Sequence, residues 1–455
     1  MKVLLLNPPG KNLYLRDYYC SKISKANYIN QPTDLLILSG IINQEHHTVV
    51  LDAIIENLND WQTLSIIKAL APDVIVFLTG SVSFAEDLRF LEQIKQMLPV
   101  RLIGTGDIFM EDTAALLEKY PCIDAALLDF TSDAILQWID NSDGPHIVYR
   151  RNGKVESPQG KSSRTFKIPR PRHDLFKNRL YRYPFCKREP FATVLTSYGC
   201  PYKCNFCIMA NLPFKMRPVA DVIEELAYLK SLGIKEIYFN DQTFGINRAR
   251  TADLLNRMVP LDLTWVCFSR VDLVDADLLN LMKRAGCHTI MFGVESGNQE
   301  ILASTGKEIN KADIMTAFTG CRKLAINTVG TFIIGLPGDT VSSCLDTIEF
   351  AKMLPCDYAS FNVPVPRMKT KLRDYALKKG LIGNDLMIMD QSGHSIPMQN
   401  EFLTKRQIEE LHKRAYREFY LRPTYLLRRL LKIRTLTQLK NHLREGAALF
   451  ASKGI

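Results

Sequence analysis

The chain lacks any uninterrupted apolar run near the ~18 residues a bilayer-spanning helix needs, so no membrane-spanning helix is expected. A complete export signal is missing as well. The opening MKVLLLNPPG has a short apolar stretch that Asn7, Pro8 and Pro9 cut off, and the expected compartment is the cytosol. Internal repeats and low-complexity tracts are absent, which removes solenoids and disordered tails. Cysteine is sparse and odd in number, 11 in 455 residues, so reduced thiols or metal ligation are expected rather than a disulfide framework. A general excess of positive charge is also missing. The net +10 is made of +10 in residues 150–190 and +9 in residues 403–455, which leaves −9 for the rest. Such segmental basicity suits a local acidic contact better than a polycationic surface.

What is present is an ordinary globular composition, 46% hydrophobic and 23% charged, long enough for about two to four domains. Residues 1–140 alternate short apolar runs, at 2–6, 48–53, 73–78, 100–104 and 125–128, with helical spacing at 34–44, 59–70, 84–98 and 111–119. That alternation predicts a Rossmann-like α/β domain with a parallel sheet. Ligands of such sheets lie beyond the strand carboxyl ends, here Asn7–Gly10, Thr79–Ser83 and Gly104–Asp107; Thr79, Ser81, Gly104 and Gly106 are the candidate contacts. Residues 141–190 are basic, proline-rich and aperiodic, and read as a linker. In 191–402 six strands are expected, at 192–197, 236–240, 263–268, 289–295, 328–335 and 358–362, alternating with helices. Six are too few for a closed eight-stranded barrel and predict a partial (β/α)6, TIM-like one, with its chemistry at the strand carboxyl ends. Residues 403–455 form a basic helical C-terminal segment.

One constellation carries chemistry. Just past the first barrel strand, Cys200, Cys204 and Cys207 stand in a C-x3-C-x2-C loop. A closed Zn site or an ordinary [4Fe–4S] cluster takes four ligands, so three thiolates leave one iron open for a small molecule. A zinc site with a remote fourth ligand, or buried structural cysteines, are the alternatives. The other cysteines, Cys20, Cys122, Cys186, Cys267, Cys287, Cys321, Cys344 and Cys356, form no second motif and read as buried hydrophobes.

The C-x3-C-x2-C motif, with the aromatic Phe206 before its last cysteine, resembles the cluster motif of the radical S-adenosylmethionine (SAM) enzymes, over about 191–365. FNDQTF (239–244), SRVD (269–272), FGVESG (292–297) and GTFIIGLPGDT (330–340) resemble the subgroup that joins a cobalamin-type domain to a radical SAM barrel, as does PTDLLILSGIINQEHHTVVLDA (32–53). The resemblance implies that Cys200, Cys204 and Cys207 ligate a [4Fe–4S] cluster whose open iron chelates SAM. Reductive cleavage of SAM then gives a 5′-deoxyadenosyl radical. It implies SAM contacts from Asp241, Arg270 and Glu295 at the second, third and fourth strand ends. Gly335, with Gly330, Pro337 and Gly338, would let the fifth strand approach the adenosine.

The D-x-H-x-x-G signature that gives cobalt a histidine is absent; the matching loop reads Gly104-Thr105-Gly106-Asp107, and His46 and His47 read as turn residues. Cobalamin, where retained, would lack a histidine ligand. The function implied is cobalamin-dependent methylation of an unactivated carbon, with a flavodoxin- or ferredoxin-type electron donor and a small or lipophilic substrate. Radical cyclisation, rearrangement or oxidation is the same-fold alternative, and a non-catalytic cobalamin- or metal-sensing protein the distant one. VPVPRMKTKL (363–372) replaces a proline–glycine–threonine turn common in the subgroup and leaves the distal pocket's shape open. The basic stretch 418–439 reads as a helix packed on the barrel or, more sharply, an interfacial helix, in which Arg422, Arg428, Arg429, Lys432 and Arg434 meet an anionic membrane at the inner face. Nucleic acid is the weaker partner, since no second cluster or RNA-binding module is present.

Overall fold

A strand covered on both faces needs an apolar residue at every position, and Val3, Leu4, Leu5 and Leu6 are all fully buried. In the computed structural model, which describes residues 1–19, 21, 28–158, 166–383, 390 and 395–432, they form the centre of β1 (Lys2–Asn7). There follow α1 (Thr33–Ile42), β2 (His47–Asp52), α2 (Asp60–Leu70), β3 (Val74–Leu78), α3 (Phe84–Met97), β4 (Arg101–Thr105), α4 (Thr113–Lys119), β5 (Ala125–Leu127) and α5 (Ala134–Asn141). Strand order is 2-1-3-4-5-6-7, parallel through β5. The last two strands, β6 (Ile147–Arg151) and β7 (Lys154–Glu156), are antiparallel and come from the stretch read as linker. Their turn is Asn152-Gly153, with φ of +50° and +78°, the backbone that an Asn-Gly hairpin turn requires.

The second sheet is the expected six-stranded parallel one, order 8-11-12-13-14-15. Its chain runs through β8 (Phe191–Val194), the short β9 (Ser197–Tyr198) and β10 (Lys215–Met216), α6 (Val219–Ser231), β11 (Glu236–Phe239), α7 (Arg248–Met258), β12 (Thr264–Ser269), α8 (Ala276–Arg284), β13 (Cys287–Glu295), α9 (Gln299–Ser304), α10 (Lys311–Lys323), β14 (Asn327–Ile333), α11 (Val341–Met353) and β15 (Tyr358–Asn362). Helices α7, α8, α10 and α11 start where Asn247, Asp275, Asn310 and Thr340 accept backbone N–H groups of the first turn. After β15 come α12 (Lys371–Lys378), α13 (Lys405–Tyr420) and α14 (Pro423–Lys432).

An open sheet has two edges with unpaired peptide groups. The β8 edge is met by Gln31, fully buried, whose Nε2 donates to Phe191 O at 2.9 Å and whose Oε1 accepts from Thr193 N at 3.0 Å. The β15 edge is met by α13 and α14: Tyr420 Oη donates to Ala359 O at 2.7 Å and accepts from Ala359 N at 3.1 Å, Tyr416 Oη donates to Phe361 O, and Tyr425 Oη to Asp357 O. α14 and the link before it turn arginines inward. Arg422 Nη1 donates to Lys352 O at 2.7 Å, Arg428 Nη2 to Cys356 O, and Arg429 stacks 4.3 Å from the Tyr358 ring centroid. Three of the five cations expected at a membrane are therefore bound to the barrel; Arg434, like Cys20, lies outside the described residues. Among those residues no helix is long and apolar enough to cross a membrane.

Candidate active site between the two sheets

The cysteine loop hangs from a small hairpin. β9 and β10 pair antiparallel, and residues 199–214 between them form the loop. Gly199 has φ +73°, and a Cβ there would lie 2.3 Å from Pro213 O, so the turn requires glycine. Asn205 ties the loop to the segment after β13: its N–H donates to Thr305 O at 2.9 Å and its Nδ2 to Ser304 O at 2.8 Å. Cys200, Cys204 and Cys207 thereby line one cavity of about 360 Å³.

The residues present fit an iron–sulfur cluster. Burial pushes the Cys204 thiol up to about 11, against the pull of the Lys307 ammonium, and pushes the Cys207 thiol up as well. Three soft donors on one loop, Cys200 buried and Cys204 and Cys207 half-buried, gain most from a cluster, which would hold them as thiolates. Among the described residues no fourth cysteine and no histidine lines the cavity, so a site built on these three sulfurs is left open.

Other expected residues divide. Phe206, Arg270 and Glu295 line the cavity. Glu295 ends β13 at φ +67°, a region that favours glycine, and its carboxylate pairs with Lys307 Nζ, which also donates to Gly293 O at 2.8 Å. Arg270 is clamped by Asp272 at 3.0 and 2.9 Å and by Lys307 O at 2.6 Å, with its guanidinium 3.7 Å from the Tyr202 ring centroid. Asp241 stands outside the lining. Its carboxylate accepts from Thr196 N, Thr196 Oγ1 and Ser197 Oγ at 2.6, 2.6 and 2.7 Å, so it fixes the start of the cysteine hairpin. Gly335 also stands outside: at φ +95° its open face meets the Ile408 side chain of α13, so its freedom serves helix packing.

The N-terminal strand ends are closed on themselves. Thr79 Oγ1 donates to Asp87, Ser81 N and Oγ donate to Asp107 at 2.8 and 2.6 Å, Gly104 sits under the Phe109 ring, and a Cβ on Gly106 would strike Thr79 O. None of the four lines the cavity. Buried Arg16 occupies the crevice instead, paired with Asp87 and donating to Asn7 Oδ1, Pro8 O and Pro9 O. The N-terminal wall of the cavity comes from residues the sequence reading missed, Asp17, Tyr18, Tyr19, Thr33, Asp34 and Phe130; the barrel adds Lys307 and Arg367. Arg367 falls in the departing stretch 363–372, and Thr33 and Asp34 in the quoted stretch 32–53; the others carried no sequence signal.

Residues 194–351 match the model of the radical SAM superfamily. Over 451 residues the chain is 32% identical to an uncharacterized methyltransferase of Pyrococcus horikoshii, covering 94% of each. The chain belongs to the radical SAM superfamily. This radical SAM enzyme is also 23% identical over 449 residues to a cytidylyl-2-hydroxyethylphosphonate methyltransferase of Streptomyces wedmorensis, covering 84% of this chain and 82% of that one. Its fold is that of the cobalamin-dependent SAM radical enzyme OxsB, at a TM-score of 0.72, 16% identity, and coverage of 99% of this chain and 72% of that chain. The radical SAM methyltransferase TsrM of Kitasatospora setae follows at 0.65 and 18%, covering 83% and 75%.

Proposed function

We propose that this radical SAM enzyme is a cobalamin-dependent methyltransferase acting on an unactivated carbon. The observation that carries the reading is the three-cysteine loop opening, with no fourth cysteine or histidine among the described lining residues, into a cavity that the N-terminal domain also walls. The cluster would be held by Cys200, Cys204 and Cys207, with SAM beside Arg270, Glu295 and Lys307. Cobalamin would be held on the N-terminal wall, and the groups together supply one-electron cleavage of SAM and transfer of a methyl group. Asp34 supports the cobalamin assignment. It is buried, accepts from Thr105 Oγ1 at 3.0 Å, and is pushed up to about 7 by desolvation, so it gains from amide N–H donors such as the arms of a corrin carry. The absence of histidine from the described lining supports cobalt without a protein imidazole.

The chain's own residues do three things. Asp241 fixes the hairpin that presents the cysteines. Lys307 neutralises the Glu295 carboxylate beside Cys204. Tyr183 and Tyr238, stacked with centroids 4.2 Å apart, give the barrel wall an apolar face that suits a substrate with apolar surface. Reduction of the cluster would draw on an electron donor of the flavodoxin or ferredoxin class. Peripheral membrane contact would rest on Leu426, Leu427, Leu430 and Leu431, which α14 leaves exposed, rather than on its arginines. Flotation that persists with neutral vesicles would support that.

The test is anaerobic reconstitution with iron, sulfide, cobalamin and SAM, followed by reduction. Methyl transfer yields S-adenosylhomocysteine together with 5′-deoxyadenosine. Release of 5′-deoxyadenosine alone, with or without cobalamin, would move the assignment to a radical cyclisation, rearrangement or oxidation.

A further inference from the structure

One side chain of the N-terminal domain reaches the cysteine loop itself. Tyr19 Oη lies 3.1 Å from Cys207 Sγ, across 188 positions of sequence. The tyrosine is seated from several sides. Its backbone N–H donates to Asp17 Oδ1 at 2.9 Å, Arg367 Nη1 donates to the preceding carbonyl, Tyr18 O, at 3.0 Å, and the Arg367 guanidinium stands 5.2 Å from the Tyr19 ring centroid. The hydroxyl is thus held at the sulfur by both domains.

We propose that Tyr19 is a positioning residue that donates its O–H to the iron-bound sulfur of Cys207 and so raises the reduction potential of the cluster. The proposal rests on Cys207 being a ligand. An iron-bound thiolate has no proton to give, so the tyrosine must be the donor. Adding an electron increases the negative charge on the cluster sulfurs, and a hydrogen bond to charge is stronger than one to a neutral acceptor. The bond therefore favours the reduced cluster, consistent with hydrogen bonds to sulfur being one of the levers that set such potentials. SAM cleavage begins with that electron, so a residue of the N-terminal domain sets how readily the barrel receives it.

The experiment is an EPR-monitored redox titration of the cluster-loaded full-length enzyme. Tyr19→Phe keeps the ring and its place beside Arg367 and removes only the hydroxyl. Its midpoint is expected to move negative, so that the reduced-to-oxidised ratio at the wild-type midpoint falls about tenfold, equal to 59 mV for a one-electron couple. Tyr14→Phe is the control: its Oη donates to Glu86 Oε2 at 2.8 Å in the same segment, and its midpoint is expected to match wild type. An unchanged midpoint in Tyr19→Phe at full iron content, or an equal shift in Tyr14→Phe, overturns the proposal. Should Tyr19→Phe fail to hold iron, 3-fluorotyrosine at position 19, a stronger donor of similar size, must move the midpoint positive, and no positive shift overturns it too. A wild-type protein that holds no cluster defeats the ligand reading instead, which iron analysis distinguishes.

Discussion

At Cys204 burial outweighs the pull of the Lys307 ammonium and pushes the thiol up to about 11, so the free thiol stays protonated. Cys200→Ala, Cys204→Ala and Cys207→Ala are each expected to abolish the brown [4Fe–4S] absorption and the iron content after anaerobic purification. Cys267→Ala, deep in the barrel core, should leave both in place. These cysteines are legible in the sequence because three cysteines in one loop are local. Asp34 was not legible, because its environment is set by Thr105 and by cavity neighbours far along the chain. Its pKa makes a second prediction. The folded value of about 7 lies above the unfolded value of ~3.9, so the folded state holds the extra proton between them. The stability this confers is complete below ~pH 3.9 and is lost as pH rises through 7. Asp34→Asn keeps the acceptor for Thr105 and never ionises. Its unfolding free energy should therefore approach wild type toward pH 4, pull ahead as pH rises to 7, and level off above, with a final gap on the order of a few kcal/mol. Urea unfolding of the apoprotein from pH 5 to 8 measures this, and a gap constant with pH would refute it.

At the scale of elements, the strands were the legible part: all six principal barrel strands lie within a few residues of where the alternation of strand and helix patterns predicts them. The pair β6 and β7 is hidden although Asn152-Gly153 is a hairpin signal, since the proline-rich, basic stretch around it reads as linker. The two-residue strands β9 and β10 have too few positions for any period. How the barrel edges are closed is a tertiary matter, since Gln31 and Tyr420 lie 160 and 61 residues from the peptide groups they satisfy. Gln31→Leu would leave the Phe191 carbonyl and the Thr193 N–H buried without their side-chain partner. It is expected to cost about 1–3 kcal/mol per orphaned group. Tyr420→Phe strips the hydroxyl from both polar groups of Ala359 and should cost a comparable amount. Chemical denaturation of each variant checks this, and a change within ~0.5 kcal/mol would mean that water replaces these partners at the edges.

For the whole molecule, two sheets and their order of appearance were readable from alternation, but the meeting of the two halves was not. The rule that ligands lie at strand ends points to Thr79, Ser81, Gly104 and Gly106; buried Arg16, whose partners lie up to 71 residues away, sits at those ends, and the cavity is lined instead by Asp17, Tyr19 and Asp34. The halves are also joined by charge. Lys215 of β10 forms a buried ion pair with Asp129 beyond β5 and donates to Thr131 Oγ1 at 3.1 Å. Breaking a buried pair on one side strands the other charge and costs about 3–5 kcal/mol, whereas replacing both members by groups of similar volume is often neutral. Asp129→Asn alone is therefore expected to lower stability substantially, and adding Lys215→Met should restore most of it. Because β10 is the far arm of the hairpin that carries the cysteines, the stranded lysine should also disturb the loop. Iron content after reconstitution is expected to fall in Asp129→Asn and to recover in the double variant. Equal iron in all three proteins would mean that the cysteine loop is positioned by the barrel alone, with the N-terminal domain serving only to close the cavity above it.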